Sequence, residues 1–219
     1  MLYEACVNSI SDYCCSIMGF STSESLLKLH LRAIRSFLGL PKNACIPGLL
    51  SEVDLLMPEY RSRIQMARYY HRVLKMEDHR LTKRIMLWDR DLNEKRVVKT
   101  WSSEVKDIFY ECDLLPVYTS KEIFNLKLVV SSMKEAYQKK QSNTLQQECQ
   151  VKPKLRTFIL FKDFGTPAAY VGKPLTFHQR RMLAKIRLGC LPLRLETGRY
   201  SIPRLKEDER TCLVCKPNN

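Results

Sequence analysis

The chain has 219 residues, of which 45% are hydrophobic and 27% are charged, so it has the composition of a globular protein and excludes wholesale disorder. It carries 37 Lys and Arg against 23 Asp and Glu, and this net charge of +14 favours polyanionic partners, nucleic acid ahead of an acidic membrane surface. Its apolar stretches are too short for a membrane span, and its N-terminus lacks the basic n-region of a secretory signal peptide. Its nine cysteines are thinly spread, which suits a reducing compartment. We therefore expect an intracellular protein, nuclear or cytoplasmic, with no membrane partner.

The positive charge is concentrated in two parts of the chain. Residues 151–219 hold 15 basic and 5 acidic side chains, and residues 58–100 hold 12 and 6. The two remaining parts each carry a small negative excess. A surface that served only solubility would mix both signs more evenly, so we favour a nucleic-acid partner over a solvated basic face without one.

In the first half of the chain, apolar residues recur at spacings of three and four, which predicts helices. The first helix begins at Ser23 or Ser25, and the second begins at Pro58. Further helices are predicted over residues 81–88 and 104–112. The helix after Pro58 places basic residues opposite its apolar face: Arg61, Arg68, Arg72 and Lys75.

The longest regular apolar stripe follows Ser120, which is a candidate N-cap. It runs over residues 123–137 at helical spacing, and its length of about two heptads favours an ordinary core-facing helix over a coiled coil. The polar stretch 138–150 resembles a frayed helix end or a linker. We place a domain boundary there.

Beyond this boundary, residues 155–161 are apolar and β-branched enough for one short strand, although a helical turn is an alternative. Thr176 and Gln179 form a capping box that opens a helix. Met182, Leu183 and Ile186 share one side of this helix. The other side carries Arg180, Arg181, Lys185 and Arg187. The expected fold is therefore mainly α, with a basic helical C-terminal part.

Few residues point to metal or catalytic chemistry. Cys212 and Cys215 form a C-x-x-C motif, which supplies two of the four ligands of a structural zinc site. A redox pair and two incidental cysteines remain alternatives. The sequence has no Gly-rich phosphate loop, no G-x-S-x-G motif and no evident small-molecule site, so it is not a recognisable enzyme.

Four stretches, in order, resemble one family of proteins. The stretches include SDYC (11–14) with RAIRSFLG (32–39), RLTKRIMLWD (80–89), KPKLRT (152–157) with LFK (160–162), and RLGCLPLRLETGRY (187–200) with ERTCLVC (209–215). They are similar to the C-terminal region of non-LTR (LINE-like) retrotransposon reverse transcriptases. This resemblance spans nearly the whole chain.

The resemblance implies an organisation in three parts. Residues 1–40 correspond to the end of the polymerase thumb, 41–150 to a helical connection, and 151–219 to a basic C-terminal segment that ends in half of a zinc-knuckle-like motif. In that family the catalytic palm with its Y-x-D-D motif precedes this region, and a His and a further Cys follow the C-x-x-C. Neither is present here, so we expect a piece of a larger polyprotein that is not catalytic by itself.

The expected function is binding to the phosphate backbone of RNA or DNA with little sequence preference. The residues expected to bind are Arg180, Arg181, Lys185, Arg187, Arg194, Arg199, Lys83 and Arg84. Two alternatives stay open: a polymerase subunit whose palm is supplied by a partner, and a relic or domesticated protein that acts in protein–protein interaction through its 123–137 helix. Zinc at Cys212 and Cys215 is the one cofactor expected.

Overall fold

The chain folds as an assembly of helices, which confirms the predicted mainly α fold. The computed structural model describes Ser9, Lys206 and residues 12–13, 15–19, 24–95, 99–191 and 202–203, and these contain ten α-helices and no strand. None of these helices is both long and apolar enough to cross a membrane. In chain order the helices are α1 (Cys15–Met18), α2 (Glu24–Leu38), α3 (Ile46–Val53), α4 (Pro58–Leu74), α5 (Leu81–Lys95), α6 (Trp101–Glu111), α7 (Leu115–Thr119), α8 (Leu126–Gln150), α9 (Arg156–Phe161) and α10 (Phe177–Arg187).

Several helices begin where local chemistry satisfies their free N–H groups. Pro58 opens α4 as predicted, at a position where a missing N–H costs nothing. Thr176 accepts the N–H of Gln179, whose side chain accepts the N–H of Thr176 in return, so the predicted capping box of α10 is confirmed. A second capping box, which sequence inspection missed, opens α6 between Thr100 and Ser103.

Helix α8 differs from its prediction at both ends. Its N-cap is Asn125, which accepts the N–H groups of the next turn, rather than Ser120. Of the two interpretations of residues 138–150, the linker is wrong and the helix end is closer to the structure, because α8 continues to Gln150. Gln141, Leu145 and Cys149 extend its buried face at a spacing of four residues, and the Gln141 side chain bonds backbone groups of Leu55 and Met57. Gln141 therefore belongs to the buried face of α8 although it is polar, and a pattern of apolar residues alone ends that face too early.

Of the two structures considered for residues 155–161, the short strand is wrong and the helical alternative is confirmed. A 3₁₀ turn at Pro153–Leu155 leads directly into α9. Leu155 and Phe158 are both fully buried, and their spacing of three residues corresponds to one helical turn rather than to strand alternation. A segment of seven residues with five apolar side chains fits either structure on its own.

The core consists of two hydrophobic clusters that share α8. The first cluster joins α4, α5, α6 and α7 to the first half of α8, around the fully buried Tyr70 and Phe109. The second joins α2, α3, α9 and α10 to the last turns of α8. Val130, Met133 and Tyr137 of the predicted stripe lie in the first cluster, so this stripe faces the core as expected and is not an exposed surface.

The second cluster also buries an ionisable side chain that makes stability depend on pH. His30 of α2 is 1% exposed, and burial together with the nearby charge of Arg61 lowers its pKa to about 4 from its ordinary value of 6.5. The folded state therefore favours neutral His30, and the unfolded state binds the proton more readily.

We predict that His30→Gln reduces the loss of stability in mild acid. The contribution of neutral His30 is complete above pH 6.5 and is lost as pH falls from 6.5 to 4. Over this range, urea unfolding should show wild type losing about 3 kcal/mol more than the variant. Parallel pH profiles for the two proteins would contradict this prediction.

Candidate nucleic-acid interface

Helix α10, the predicted backbone-binding helix, packs on the chain through its basic side. Its buried residues are Ala184 and, just after its end, Leu188, and the arginines and lysine flank these two on the helix surface. Met182, Leu183 and Ile186 face outward, with exposed fractions of 39%, 39% and 55%. The helical wheel separated the two sides correctly, but the side that meets the protein is the basic one.

Arg187 is held by a buried carboxylate and is not a free cation. Its Nε lies 3.0 Å from both carboxylate oxygens of Glu52, and its second terminal nitrogen lies 2.9 Å from one of them. Glu52 is completely buried in α3, and the Arg187 guanidinium also lies 4.6 Å from the ring centre of Phe161. This paired, hydrogen-bonded geometry satisfies a charge that would otherwise be costly to bury.

The other basic residues of α10 differ in whether contacts within the protein occupy their charged groups. The Arg180 guanidinium lies 4.4 Å from the ring centre of Phe37 and donates to the carbonyl of Leu175 at 3.1 Å. Arg181 is exposed, and Lys185 is half-buried without an ion pair to any residue that the structure describes. Arg181 and Lys185 therefore remain able to meet a phosphate, whereas Arg180 and Arg187 hold the helix in place.

Of the remaining predicted binding residues, Lys83 is engaged by the protein itself and Arg84 is available to a partner. Lys83 donates to the carbonyl of Met76 at 2.8 Å and pairs with Asp78 at 2.8 Å, so its charge is used within the turn before α5. Arg84 is exposed and forms no ion pair with a described residue. The predicted binding residues Arg194 and Arg199 and the predicted zinc ligands Cys212 and Cys215 lie outside the described residues.

A row of cations that form no ion pair with a described residue lies instead on α4 and on Lys75, the residue that follows it. Arg68, Arg72 and Lys75 are exposed at positions i, i+4 and i+7, which places them on one face of the helix. None of the three forms an ion pair within the described part of the chain, whereas Arg61 pairs with Asp12 at 2.6 Å and Arg63 pairs with Glu111 at 2.5 Å. We call Arg68, Arg72 and Lys75 the α4 stripe.

An apolar groove of about 330 Å³ runs beside the α4 stripe. It lies between α1, α4, α5 and the start of α6, and we call it the Trp88 groove; six of the residues that line it are Ile17, Tyr69, Val73, Ile85, Trp88 and Trp101. Trp88 is 64% exposed, and the Tyr69 and Trp101 rings meet edge to face at 5.9 Å. Sequence inspection missed this groove because its residues come from four separate segments.

The groove and the cations are adjacent along both helices. Tyr69 and Val73 of the groove directly follow Arg68 and Arg72 of the α4 stripe. On α5, Arg84 precedes the groove residue Ile85 and lies one turn before Trp88. Exposed arginines therefore lie next in sequence to groove residues on both helices, and Arg84 shares a helix face with Trp88.

One carboxylate also lines the groove, and it has a structural role. Asp89 accepts the backbone N–H of Ser102 at 2.9 Å, in the first turn of α6, where a negative charge is favoured. No group of three or more His, Cys, Asp or Glu side chains that could hold a metal ion occurs in the described part of the chain. The described residues thus offer a cationic and aromatic surface, not a metal centre.

Comparison of the chain with protein-family models, with curated proteins and with solved structures returned no match. The function is therefore argued from the residues of this chain.

The buried pair Glu52–Arg187 yields a stability prediction. Removing one partner of a buried ion pair leaves an uncompensated charge and costs about 3–5 kcal/mol. We expect Arg187→Met, which leaves the fully buried Glu52 carboxylate without this cation, to lower the free energy of unfolding by about this amount in urea titrations, and Glu52→Gln to lower it by less because the Arg187 side chain is 24% exposed. The exposed Arg84→Met should change it by less than about 0.5 kcal/mol. Equal effects of Arg187→Met and Arg84→Met would contradict the structural role of Arg187.

Proposed function

We propose that this chain binds the phosphate backbone of nucleic acid with little sequence preference. The observation that carries the proposal is the α4 stripe, three exposed cations on one helix face without a carboxylate partner among the described residues. Such a row suits the regularly spaced phosphates of a nucleic acid strand. Contacts to phosphates carry no sequence information, so binding of this kind has little sequence preference.

On the resemblance alone, we further propose that this chain is a non-catalytic C-terminal region of a non-LTR reverse transcriptase that lacks the palm. The four ordered stretches quoted above support it, and a helical, basic region that holds primer and template is consistent with a mainly α fold. The α4 stripe would then extend the proposed nucleic-acid-binding surface into the connection region. On α10, Arg181 and Lys185 would contribute fewer phosphate contacts than predicted, because Arg180 and Arg187 are held by the protein.

The alternative of protein–protein interaction through the 123–137 helix is less well supported. Val130, Met133 and Tyr137 are 8%, 0% and 1% exposed. The exposed side chains of this segment are mostly polar, and its exposed large apolar residues are Ile123 and Leu128. A partner that used the apolar stripe would have to displace α4 from it.

The salt dependence of binding tests the proposal. We expect log affinity of the full chain for a 20-nucleotide single strand to fall steeply and linearly with log salt concentration. Replacing all three residues of the α4 stripe by Gln should reduce the slope by about 2 to 3, because each phosphate contact contributes about 0.7 to 0.9.

A matched triple variant provides the control. Lys127, Lys134 and Lys139 are exposed on α8, and their replacement by Gln removes the same charge from another surface. The control should leave the slope within about 1 of wild type, and Arg181→Gln with Lys185→Gln should have an intermediate effect. Equal slopes for both triple variants would reject the α4 stripe, and a flat salt response of wild type would reject nucleic-acid binding.

A further inference from the structure

We propose that the Trp88 groove receives an unpaired nucleobase, so that the chain prefers single-stranded over duplex nucleic acid. This inference rests on the proposed backbone binding and adds the class of nucleic acid to it. Its basis is an exposed aromatic groove next to exposed arginines of α4 and α5. Binding of the phosphate backbone alone would not require such a groove.

The size and composition of the groove fit a base. Its volume of about 330 Å³ exceeds that of a single aromatic ring system, and its walls are largely aromatic and aliphatic. Trp88 is 64% exposed, so its indole is accessible to a stacking partner. Every base has a π face, so stacking on an aromatic side chain needs no particular sequence.

The charges around the groove identify the occupant. Exposed Arg68 and Arg72 each precede a groove residue on α4, and exposed Arg84 lies one turn before Trp88 on the same face of α5. An apolar peptide would leave these cations without partners, and a second copy of this chain would bring a further charge of +14 against them. A nucleotide supplies both a ring for the groove and a phosphate for its border.

A base inside a duplex cannot enter the groove without being unpaired and unstacked. That step costs free energy in a duplex and much less in a single strand, whose bases are already accessible. The groove therefore favours single strands, or unpaired positions next to a duplex. The α4 stripe alone would bind both forms through their phosphates.

Intrinsic fluorescence provides a direct readout. The chain has two tryptophans, Trp88 and Trp101, and both line the groove. We expect a 12-nucleotide single strand to quench the tryptophan emission of the full chain on binding. The matching 12-base-pair duplex should bind with little quenching at equal occupancy, as measured by anisotropy of a labelled strand.

The variant Trp88→Ala separates stacking from charge. Because Trp88 is exposed, the fold should tolerate this substitution. The variant should bind the single strand about 5- to 100-fold more weakly, while its affinity for the duplex should change less than about twofold. The control Leu128→Ala, which is 65% exposed on α8, should change neither affinity.

Three results would overturn the inference. Binding of the single strand without quenching, or equal weakening of both forms by Trp88→Ala, would reject base insertion and leave backbone binding standing. Absence of binding by either form would reject backbone binding and base insertion together. The two failures are thus distinguishable in one set of titrations.

Discussion

The arrangement of the C-terminal half depends on one buried ion pair, between Glu52 of α3 and Arg187 of α10. Glu52 has no exposed surface, so its carboxylate needs a cation, and Arg187 meets both of its oxygens at 3.0 Å. To reach it, α10 must turn its basic side toward the chain. Leu183 and Ile186 then face outward. The same stretch of α3 is held further by the Glu52 carbonyl, which accepts the N–H of Ala168 at 2.8 Å.

The net charge of +14 therefore overstates the cationic surface that can bind a partner. Arg187 is tied to a buried carboxylate, and Arg90 is 2% exposed and donates to the Tyr118 carbonyl at 3.1 Å while its guanidinium lies 4.5 Å from the ring centre of that residue. These cations stabilise the packing of helices. Arg68 and Arg72 lack such partners within the described residues, and this contrast, rather than the total charge, supports the proposed binding surface on α4.

Local patterns predicted the fold better than the site. Helical spacing and caps gave α2, α4 and the start of α10 because these signals lie within a few residues of one another. The stretch of α8 around Gln141 stayed open between a frayed helix end and a linker, because the partner of its polar side chain, the Leu55 carbonyl, lies 86 residues away in sequence. Likewise, a helical wheel shows which residues share a side of α10, but the buried side is decided by Glu52, which is 135 residues distant from Arg187. The Trp88 groove also depends on tertiary contacts that no local pattern records.

The division of the arginines into structural and available groups can be measured residue by residue. Phenylglyoxal modification, read by mass spectrometry with and without a bound single strand, reports the accessibility of each guanidinium. The account predicts that Arg68, Arg72 and Arg84 react in the free chain and are protected by the strand, while Arg187 and Arg90 react slowly in both states. Rapid modification of Arg187 that the strand suppresses, with Arg68 and Arg72 unaffected, would contradict it and return the binding surface to α10.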